Sequence, residues 1–303
     1  MSLFDRVATA PISWGVCEVP GWGHQLSVDR VLGEMAELGF NQTELGSLGW
    51  LPTEPSELNR VLSTHELGLL AGFVPLVLHD GAEAEATEKA ALEAAELLRA
   101  GGAIYFNTAP VMSWDWAPRR DLTDAEWSRL IGGLAMVQEI CADTGLTQVI
   151  HEHVGIAIET VDDVNRLLES SPVKFVLDTA HLALGGADPL EFAQRHPERV
   201  GLVHLKDMDS QLARTFTSSQ RGDSPQSLMA AVQAGLFPAL GDGDLPIGAI
   251  VTTLEESGFN GWYVVEQDCA ITGDAPGAGE GPINDVRVSV EYLASLDLFN
   301  AAG

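Results

Sequence analysis

Cysteine and basic residues are both scarce in this chain of 303 residues. Its three cysteines, Cys17, Cys141 and Cys269, are odd in number and far apart, so we expect plain thiols rather than a disulfide framework or a zinc knuckle. Lys and Arg total 16 against 44 Asp and Glu, which gives a formal net charge of −28. Because phosphate binding needs a basic surface, this charge argues against a nucleic-acid partner.

Long hydrophobic runs and targeting signals are also missing. No run of about 18 apolar residues occurs, which argues against a membrane partner, and the N-terminal MSLFDRVATAPISW lacks the regions of a signal peptide. We therefore expect a cytoplasmic protein. The composition, 46% hydrophobic and 20% charged, suits a globular chain, and with no strong internal boundary we expect a single domain over residues 1–303.

What the chain does contain is a regular alternation of short apolar segments and amphipathic ones. Eight segments have the character of β-strands: 7–13, 41–45, 69–75, 103–107, 147–153, 173–178, 200–206 and 262–268. The segments between them repeat apolar residues at three and four positions and carry helix signals, such as Ser27 as an N-cap and Thr123 with Glu126 at capping-box spacing. This alternation predicts an α/β fold, a (β/α)8 TIM barrel.

A doubly wound open sheet is the alternative for such an alternation. It would usually place a Gly-rich turn between the first strand and a helix, but the glycines of SWGVCEVPGWGH open no helix. A second Gly-rich tract, ITGDAPGAGEGP at 271–282, follows the last strand. It is either a flexible surface loop or a mobile lid over a site.

Polar side chains collect at the ends of the predicted strands, which in a barrel face one mouth. They are Glu44 after strand two, His151, Glu152 and His153 in strand five, Asp178 and His181 after strand six, His204, Lys206 and Asp207 after strand seven, and Glu266 after strand eight. Strand alternation directs His151, Asp178, His204 and Glu266 inward and Glu152 away from the mouth. Singly, such residues are usually structural. Together they form a mixed nitrogen and oxygen set that suits Mn²⁺, Co²⁺, Fe²⁺ or Zn²⁺ better than Ca²⁺ or Mg²⁺.

Several motifs resemble a known family. They are APISWG, TELG, HEHVGIAIET, LDTAHLALGGADP, HLKDMD, FPALGDGDLP and GFNGWYVVEQD. Over about residues 8 to 298 the chain resembles the inosose dehydratase branch of the xylose isomerase-like superfamily of sugar isomerases and epimerases, which are TIM barrels. The resemblance implies a divalent metal, Mn²⁺ or Co²⁺ first and Zn²⁺ or Fe²⁺ next, held by the strand-end residues.

The sequence departs from that family in two places. The sugar epimerases carry a glutamate as the strand-five ligand, whereas this chain has His151 and His153 on either side of Glu152. With an offset of one residue, Glu152 becomes the ligand in place of His151. The tract 271–282 replaces a shorter polar segment, so the cover of the substrate site differs from that of the family.

The resemblance implies a lyase that dehydrates 2-keto-myo-inositol (inosose) through an enediolate in inositol catabolism. Such a reaction needs a base for the proton α to the ketone, a Lewis acid, and an acid for the departing hydroxyl. We assign Glu266 as a ligand that doubles as proton acceptor and His181 as an acid or hydrogen-bond donor. Lys206 either stabilises oxyanion charge or forms an ion pair with Asp178 or Asp207.

Substrate contacts are expected from Trp14, Glu44 and His153. Trp14, with Trp22 or Trp50, would cover the C–H face of a ring, although large aromatics more often lie in the core. Glu44 binds substrate hydroxyls or caps the loop that follows it.

Three other functions remain open from the sequence. A metal-dependent isomerase or epimerase of a free ketose shares the first chemical step. A phosphodiester-cleaving barrel shares the fold but needs a basic groove, which the charge of −28 denies. A silent sugar-binding barrel would not need the ligand set. The partner is thus a small cyclitol or sugar, and the family suggests a homo-oligomer.

Overall fold

The architecture is a closed barrel of eight parallel strands, seen in a computed structural model that describes residues 3–219 and 225–300. The strands are β1 (Val7–Thr9), β2 (Gln42–Glu44), β3 (Gly68–Leu76), β4 (Tyr105–Pro110), β5 (Thr147–His151), β6 (Lys174–Asp178), β7 (Val200–Leu205) and β8 (Tyr263–Val265). Each strand pairs with the next, and β8 closes the barrel on β1. The predicted (β/α)8 class is confirmed.

Helices connect the strands around the barrel. They are α1 (Val28–Glu37), α2 (Pro55–Thr64), α3 (Ala84–Ala100), α4 (Asp124–Thr144), α5 (Val161–Ser170), α6 (Thr179–Leu184), α7 (Pro189–Arg195), α8 (Ser210–Ser219), α9 (Pro225–Gln233), α10 (Ile247–Glu256), α11 (Pro282–Ser295) and α12 (Asp297–Asn300). The capping box predicted at the start of α4 is present, with the Glu126 amide donating to Thr123 Oγ1 and the Thr123 amide donating to Glu126 Oε2. At the start of α1, the Ser27 side chain makes no capping bond.

Several strands are shorter than their apolar segments suggested. β1 ends at Thr9 because Pro11, which has no backbone N–H, opens a 3-10 turn over Pro11–Trp14. β5 ends at His151 and β8 at Val265, so His153 and Glu266 lie on the loops just beyond.

The strands divide their side chains between two cores. Ala8, Leu70, Tyr105, Val149, Val176, Leu202 and Val264 come from seven strands and contact one another inside the barrel. Their neighbours, such as Ile150, Phe175, Leu177 and Val265, pack with the helices in the main core. This is the alternation predicted from the sequence. Because the period is two, a residue two positions after one of the inner-layer residues also points inward, at the mouth of the barrel.

No helix in the described part of the chain is long and apolar enough to cross a membrane.

Candidate active site

A cavity of about 1080 Å³, including its open mouth, lies at the carboxyl ends of the strands. Its charged or polar lining includes Glu18, Glu44, Arg119, His204, Glu266 and Asp268, and its apolar lining includes Val16, Val19, Trp22, Phe73, Trp116 and Val154. Polar groups gathered at one place in an otherwise apolar pocket are typical of a small-molecule site. This end of a (β/α)8 barrel is where active sites form.

Four side chains from neighbouring strands converge on one point beneath the cavity. His151 Nε2 lies 3.6 Å from Asp178 Oδ2, and His204 Nδ1 lies 3.9 Å from the same oxygen. Glu266 Oε2 is 3.1 Å from His204 Nδ1. All four residues are nearly inaccessible to solvent. The structure thus brings together the four residues that strand alternation directed inward.

The donor set of this cluster fits a divalent cation. Two ligand atoms that are each about 2 Å from one ion lie at most about 4 Å apart, and the separations of Asp178 Oδ2 from the two histidines and of His204 Nδ1 from Glu266 stay below that limit. His151 Nε2, Asp178 Oδ2 and His204 Nδ1 make no hydrogen bond although they are buried. Buried polar atoms are seldom left unpaired, so a bound cation accounts for three of them at once.

Burial and charge set the ionisation of the cluster. Burial acts to raise the pKa of Asp178, but the nearby charges of Lys206 and His151 outweigh it and lower that pKa to about 2. For Glu266 burial also acts upward, and the charges of His204 and Lys206 hold its pKa well below the usual value. Both carboxylates are therefore ionised at neutral pH, as metal ligands must be.

Asn107 on β4 orients the His151 ring. The Asn107 side chain lies 3.3 Å from His151 Nδ1, and Asn107 Oδ1 has no hydrogen-bond partner. Amide nitrogen and oxygen are assigned from such contacts. Turning the amide over lets Oδ1 accept from Nδ1–H and leaves the lone pair of Nε2 directed at the cluster. Contacts of this kind fix the tautomer of a metal-ligating histidine.

Asn107→Ala is expected to weaken divalent metal binding about 10- to 100-fold, because outer contacts to ligating histidines contribute that much. Titration of the metal-free protein with Mn²⁺ measures the change. Asn59→Ala is the control, since the Asn59 amide donates to the Ala100 carbonyl at an exposed position far from the cavity. Equal affinity in the Asn107 variant and the wild type would contradict this role.

Glu44 holds the second histidine of the cluster. Glu44 Oε1 lies 3.0 Å from His204 Nε2, where it accepts the ring N–H and leaves Nδ1 directed at the cluster. Burial lowers the pKa of His204, but Glu266 and Glu44 together raise it well above its usual value, so a cation that binds at Nδ1 would displace a proton from that atom. Glu44 also lines the cavity, so it is placed both to orient His204 and to meet a substrate hydroxyl.

Lys206 lies beneath the site rather than on its wall. Its ammonium is fully buried and is 2.8 Å from Glu266 Oε1, 2.6 Å from Asp268 Oδ1 and 3.3 Å from Asp178 Oδ2. It also donates to His181 Nε2 at 3.1 Å. The expectation that Lys206 meets an oxyanion does not fit this placement, because three carboxylates and a ring nitrogen take up its ammonium. The geometry makes it a positioning residue for Glu266.

Asp207, the other partner considered for Lys206, has a structural role instead. Its carboxylate accepts hydrogen bonds from the backbone N–H groups of Met208, Gly241, Gly243 and Leu245. A Cβ at position 243 would lie 2.3 Å from Asp207 Oδ1, so the glycine allows the close approach. These hydrogen bonds hold the GDGD segment, residues 241–244, next to the end of β7.

His181 and His153 lie with their rings in contact at an interplanar angle of 36°, and their surroundings favour the uncharged form of both. Their ring centroids are 3.6 Å apart. Burial and neighbouring positive charges lower the pKa of His153 to about 4 and that of His181 well below its usual value. His181 Nε2 accepts from Lys206, which leaves it no acidic proton to give at that atom. Its expected role as an acid is therefore not supported, whereas His153 lines the cavity as expected.

Glu152, the alternative ligand of strand five, belongs to none of the groups of ligand atoms that lie close enough to share an ion. Glu152 Oε1 accepts the Asp178 backbone N–H at 2.9 Å. Burial and the charge of Asp178 raise the pKa of Glu152 well above its usual value. The alternation that sends Ile150 outward and His151 inward thus favours His151.

The three tryptophans considered for a ring-stacking wall lie in different surroundings. Trp14 is fully buried in the main core, where its Nε1 donates to Glu34 Oε2 at 2.8 Å, and it does not line the cavity. Trp50 donates to the Leu26 carbonyl. Trp22 does line the cavity, and its Nε1 donates to the Cys269 carbonyl at 2.8 Å. The placement argues against Trp14 and favours Trp22.

The Gly-rich tract 271–282 packs against α1 rather than over the cavity. Arg30 on α1 donates to the carbonyls of Pro276, Gly277 and Glu280, and Glu34 accepts the Gly279 amide. The cavity lining contains none of its described residues. These contacts favour a fastened surface loop over a lid.

Sequence reasoning missed Asn107, Asp268 and Glu18. Asp268 follows Glu266 by two residues, so alternation signals it once β8 is known to continue as extended chain. Asn107 is an inward-facing polar residue at the centre of β4. Glu18 lies in the irregular segment after β1 and carries no periodic signal.

Comparison with known proteins places this architecture in a family. The family model described as "Xylose isomerase-like TIM barrel" matches residues 32–295. Among curated proteins, an inosose dehydratase from Geobacillus kaustophilus (strain HTA426) is 34% identical, with 96% of this chain and 94% of that protein covered.

Two solved structures share the fold. The crystal structure of the IOLI protein with a binding zinc atom has a TM-score of 0.69 at 14% identity, covering 97% of this chain and 98% of that chain. The probable 3-DHS dehydratase AsbF from Bacillus anthracis has a TM-score of 0.68 at 17% identity, covering 96% and 99%. With a barrel of the same architecture and a family match over most of its length, this chain belongs to the xylose isomerase-like TIM barrel family.

Proposed function

We propose that this protein is a metal-dependent lyase that dehydrates 2-keto-myo-inositol, with Mn²⁺ or Co²⁺ held by His151, Asp178, His204 and Glu266. The observation that carries the metal is a pair of three-residue ligand groups that share His204, namely His151, Asp178 and His204 and then Glu44, His204 and Glu266, with three of their buried atoms unpaired. The observation that carries the reaction is the 34% identity, over nearly the whole chain, to a protein named inosose dehydratase.

The charge of the cavity supports an uncharged substrate. Among the described lining residues, Arg119 is the single permanent cation, and its guanidinium is paired with Asp163 at 2.7 Å and Asp121 at 3.1 Å. Several carboxylates line the same space. A phosphorylated sugar would meet like charge there, whereas a neutral cyclitol presents hydroxyl groups to the carboxylates and C–H faces to Trp22 and Phe73.

The charge state of each residue in the site indicates which step of the dehydration it can perform. A divalent cation in the cluster supplies Lewis-acid polarisation of the ketone when it is bound. Glu266 is ionised and held by Lys206, so it is placed to accept the proton α to the ketone. His153 and Glu44, which line the cavity, are placed to orient hydroxyl groups.

The test is metal-dependent turnover of 2-keto-myo-inositol. We expect the metal-free protein to be inactive and Mn²⁺ or Co²⁺ to restore formation of a diketone, followed by its ultraviolet absorbance. A ketose phosphate, offered as a control, should not react. Bound metal with proton exchange at the α carbon, but without a diketone, would instead support an isomerase or epimerase. Absence of metal binding would overturn the proposal.

A further inference from the structure

Elimination of water needs a proton donor that the residues named so far do not supply. Hydroxide is a poor leaving group, so the departing oxygen must receive a proton as its bond to carbon breaks. His153 and His181 are neutral, with pKa values lowered by burial and by nearby charges. Lys206 lies outside the cavity lining. Burial raises the pKa of Asp268 although the charge of Lys206 acts against it, but its Oδ1 already accepts a hydrogen bond from the Lys206 ammonium at 2.6 Å, which holds the carboxyl against that residue.

Glu18 is a carboxyl group that lines the cavity and is not one of the three carboxylates that contact the Lys206 ammonium. It lines the cavity together with Glu44, His204 and Glu266, but it comes from the loop after β1 and not from a strand end. Its side chain bonds with its own backbone N–H. Its flanking residues, Cys17 and Val19, are buried and anchor the loop in the apolar cluster at the mouth. Glu18 therefore reaches the cavity from a loop that carries none of the four cluster residues.

The surroundings of Glu18 favour its protonated form. The residue is half-buried, and desolvation in the cavity is the largest effect. The hydrogen bond with its own backbone N–H acts against it, whereas the charges of Glu266, Asp268 and Glu44 add to it, so that the pKa of Glu18 rises to about 7. A cation bound in the cluster would offset the charges of Glu44 and Glu266, but it would leave the effect of burial. A general acid works best with a pKa near the operating pH, and a carboxyl in an apolar setting is a known way to obtain one.

We propose that Glu18 is the catalytic acid that protonates the departing β-hydroxyl group, an assignment that rests on the proposed dehydratase function. Glu266 first takes the α proton, and the electron pair of that C–H bond moves towards the ketone oxygen to give the enediolate. The ketone then re-forms, the electron pair goes into the new C=C bond, and the C–O bond to the β carbon breaks as the oxygen takes the proton of Glu18 and leaves as water. Glu266 releases the α proton to solvent and Glu18 takes one up, so substrate and products differ by one water.

The experiment separates proton abstraction from elimination in Glu18→Gln, a substitution of nearly equal shape. Loaded with Mn²⁺, this variant is expected to dehydrate 2-keto-myo-inositol about 10²- to 10⁴-fold more slowly, the usual contribution of a general acid. Exchange of the α hydrogen with deuterium from the solvent should stay near the wild-type rate. An analogue with fluoride in place of the β-hydroxyl should be eliminated by the variant nearly as fast as by the wild type, because fluoride leaves without a proton.

Glu88→Gln, at an exposed position on α3, is the control for the loss of one carboxylate. The pH profile gives an independent readout. Wild-type turnover should fall as pH rises through the pKa of the acid, because the acid must carry its proton, and the variant should lack this limb. Loss of deuterium exchange together with dehydration, or unchanged dehydration, would overturn the role of Glu18. If the wild type itself neither exchanges nor dehydrates, the proposed function fails instead.

Discussion

Asp178→Asn is expected to prevent divalent metal binding and to lower the kcat/KM of dehydration by at least about 10³-fold. A Lewis-acid metal contributes several kcal/mol to the barrier, and each 1.36 kcal/mol corresponds to a factor of ten. Asp178 Oδ2 lies within 4 Å of ligand nitrogens on both His151 and His204. Asparagine keeps the size of the side chain but loses the negative charge. Metal content by mass spectrometry and steady-state kinetics with added Mn²⁺ measure the two effects.

Asp178 also has a structural role, which the choice of asparagine preserves. Its Oδ1 accepts the backbone N–H groups of Ala180 and His181 and so caps α6. Asparagine is as good an N-cap as aspartate. Asp188→Asn is a matched control, because Asp188 caps α7 through the amides of Leu190 and Glu191 at an exposed site. A variant at position 178 that retains stoichiometric metal and full activity would disprove the ligand assignment.

The residues that strand alternation directs inward, and that the structure places near one another, share one property. His151, Asp178 and His204 lie at or near the ends of their strands and Glu266 just beyond β8, where apolar neighbours distinguish the inner from the outer face. A side-chain period of two is a local rule, and a closed parallel barrel brings the ends of all its strands to one mouth. Sequence alone therefore predicts both the fold and the convergence of these four groups. It also predicts Glu152 to point away.

The errors have a different origin, since they depend on contacts that no local period encodes. Trp14 lies in the core, where its indole N–H donates to the carboxylate of Glu34 on α1. His181 is neutral because it is desolvated and lies against Lys206. Glu18 belongs to an irregular segment whose path is decided by packing at the mouth. Such features follow from tertiary structure and could be recognised only once it was available.

Lys206→Met is expected to reduce the free energy of unfolding by about 3–5 kcal/mol, the usual result of removing one partner from a buried ion pair. Three carboxylates, those of Asp178, Glu266 and Asp268, would be left in the interior without their shared cation. Burial disfavours the charged amine, but these carboxylates outweigh it and raise the pKa of Lys206 well above its usual value. The stabilising charge is therefore present at any pH below about 10 and is lost only in strong alkali. Urea unfolding at pH 7 measures the change.

The same variant tests whether the ammonium and a bound metal stabilise one group of carboxylates. Lys89→Met, on the exposed face of α3 where the ammonium is 3.8 Å from Glu93, makes the same chemical change and should alter stability little. Divalent cations bind the folded state and stabilise it by mass action. Mn²⁺ should raise the melting temperature of Lys206→Met by more than that of the wild type, because the variant has lost the competing positive charge. If Lys206→Met were as stable as Lys89→Met without metal, the ion pairs of Lys206 with the three carboxylates would not contribute to stability, and this prediction would be wrong.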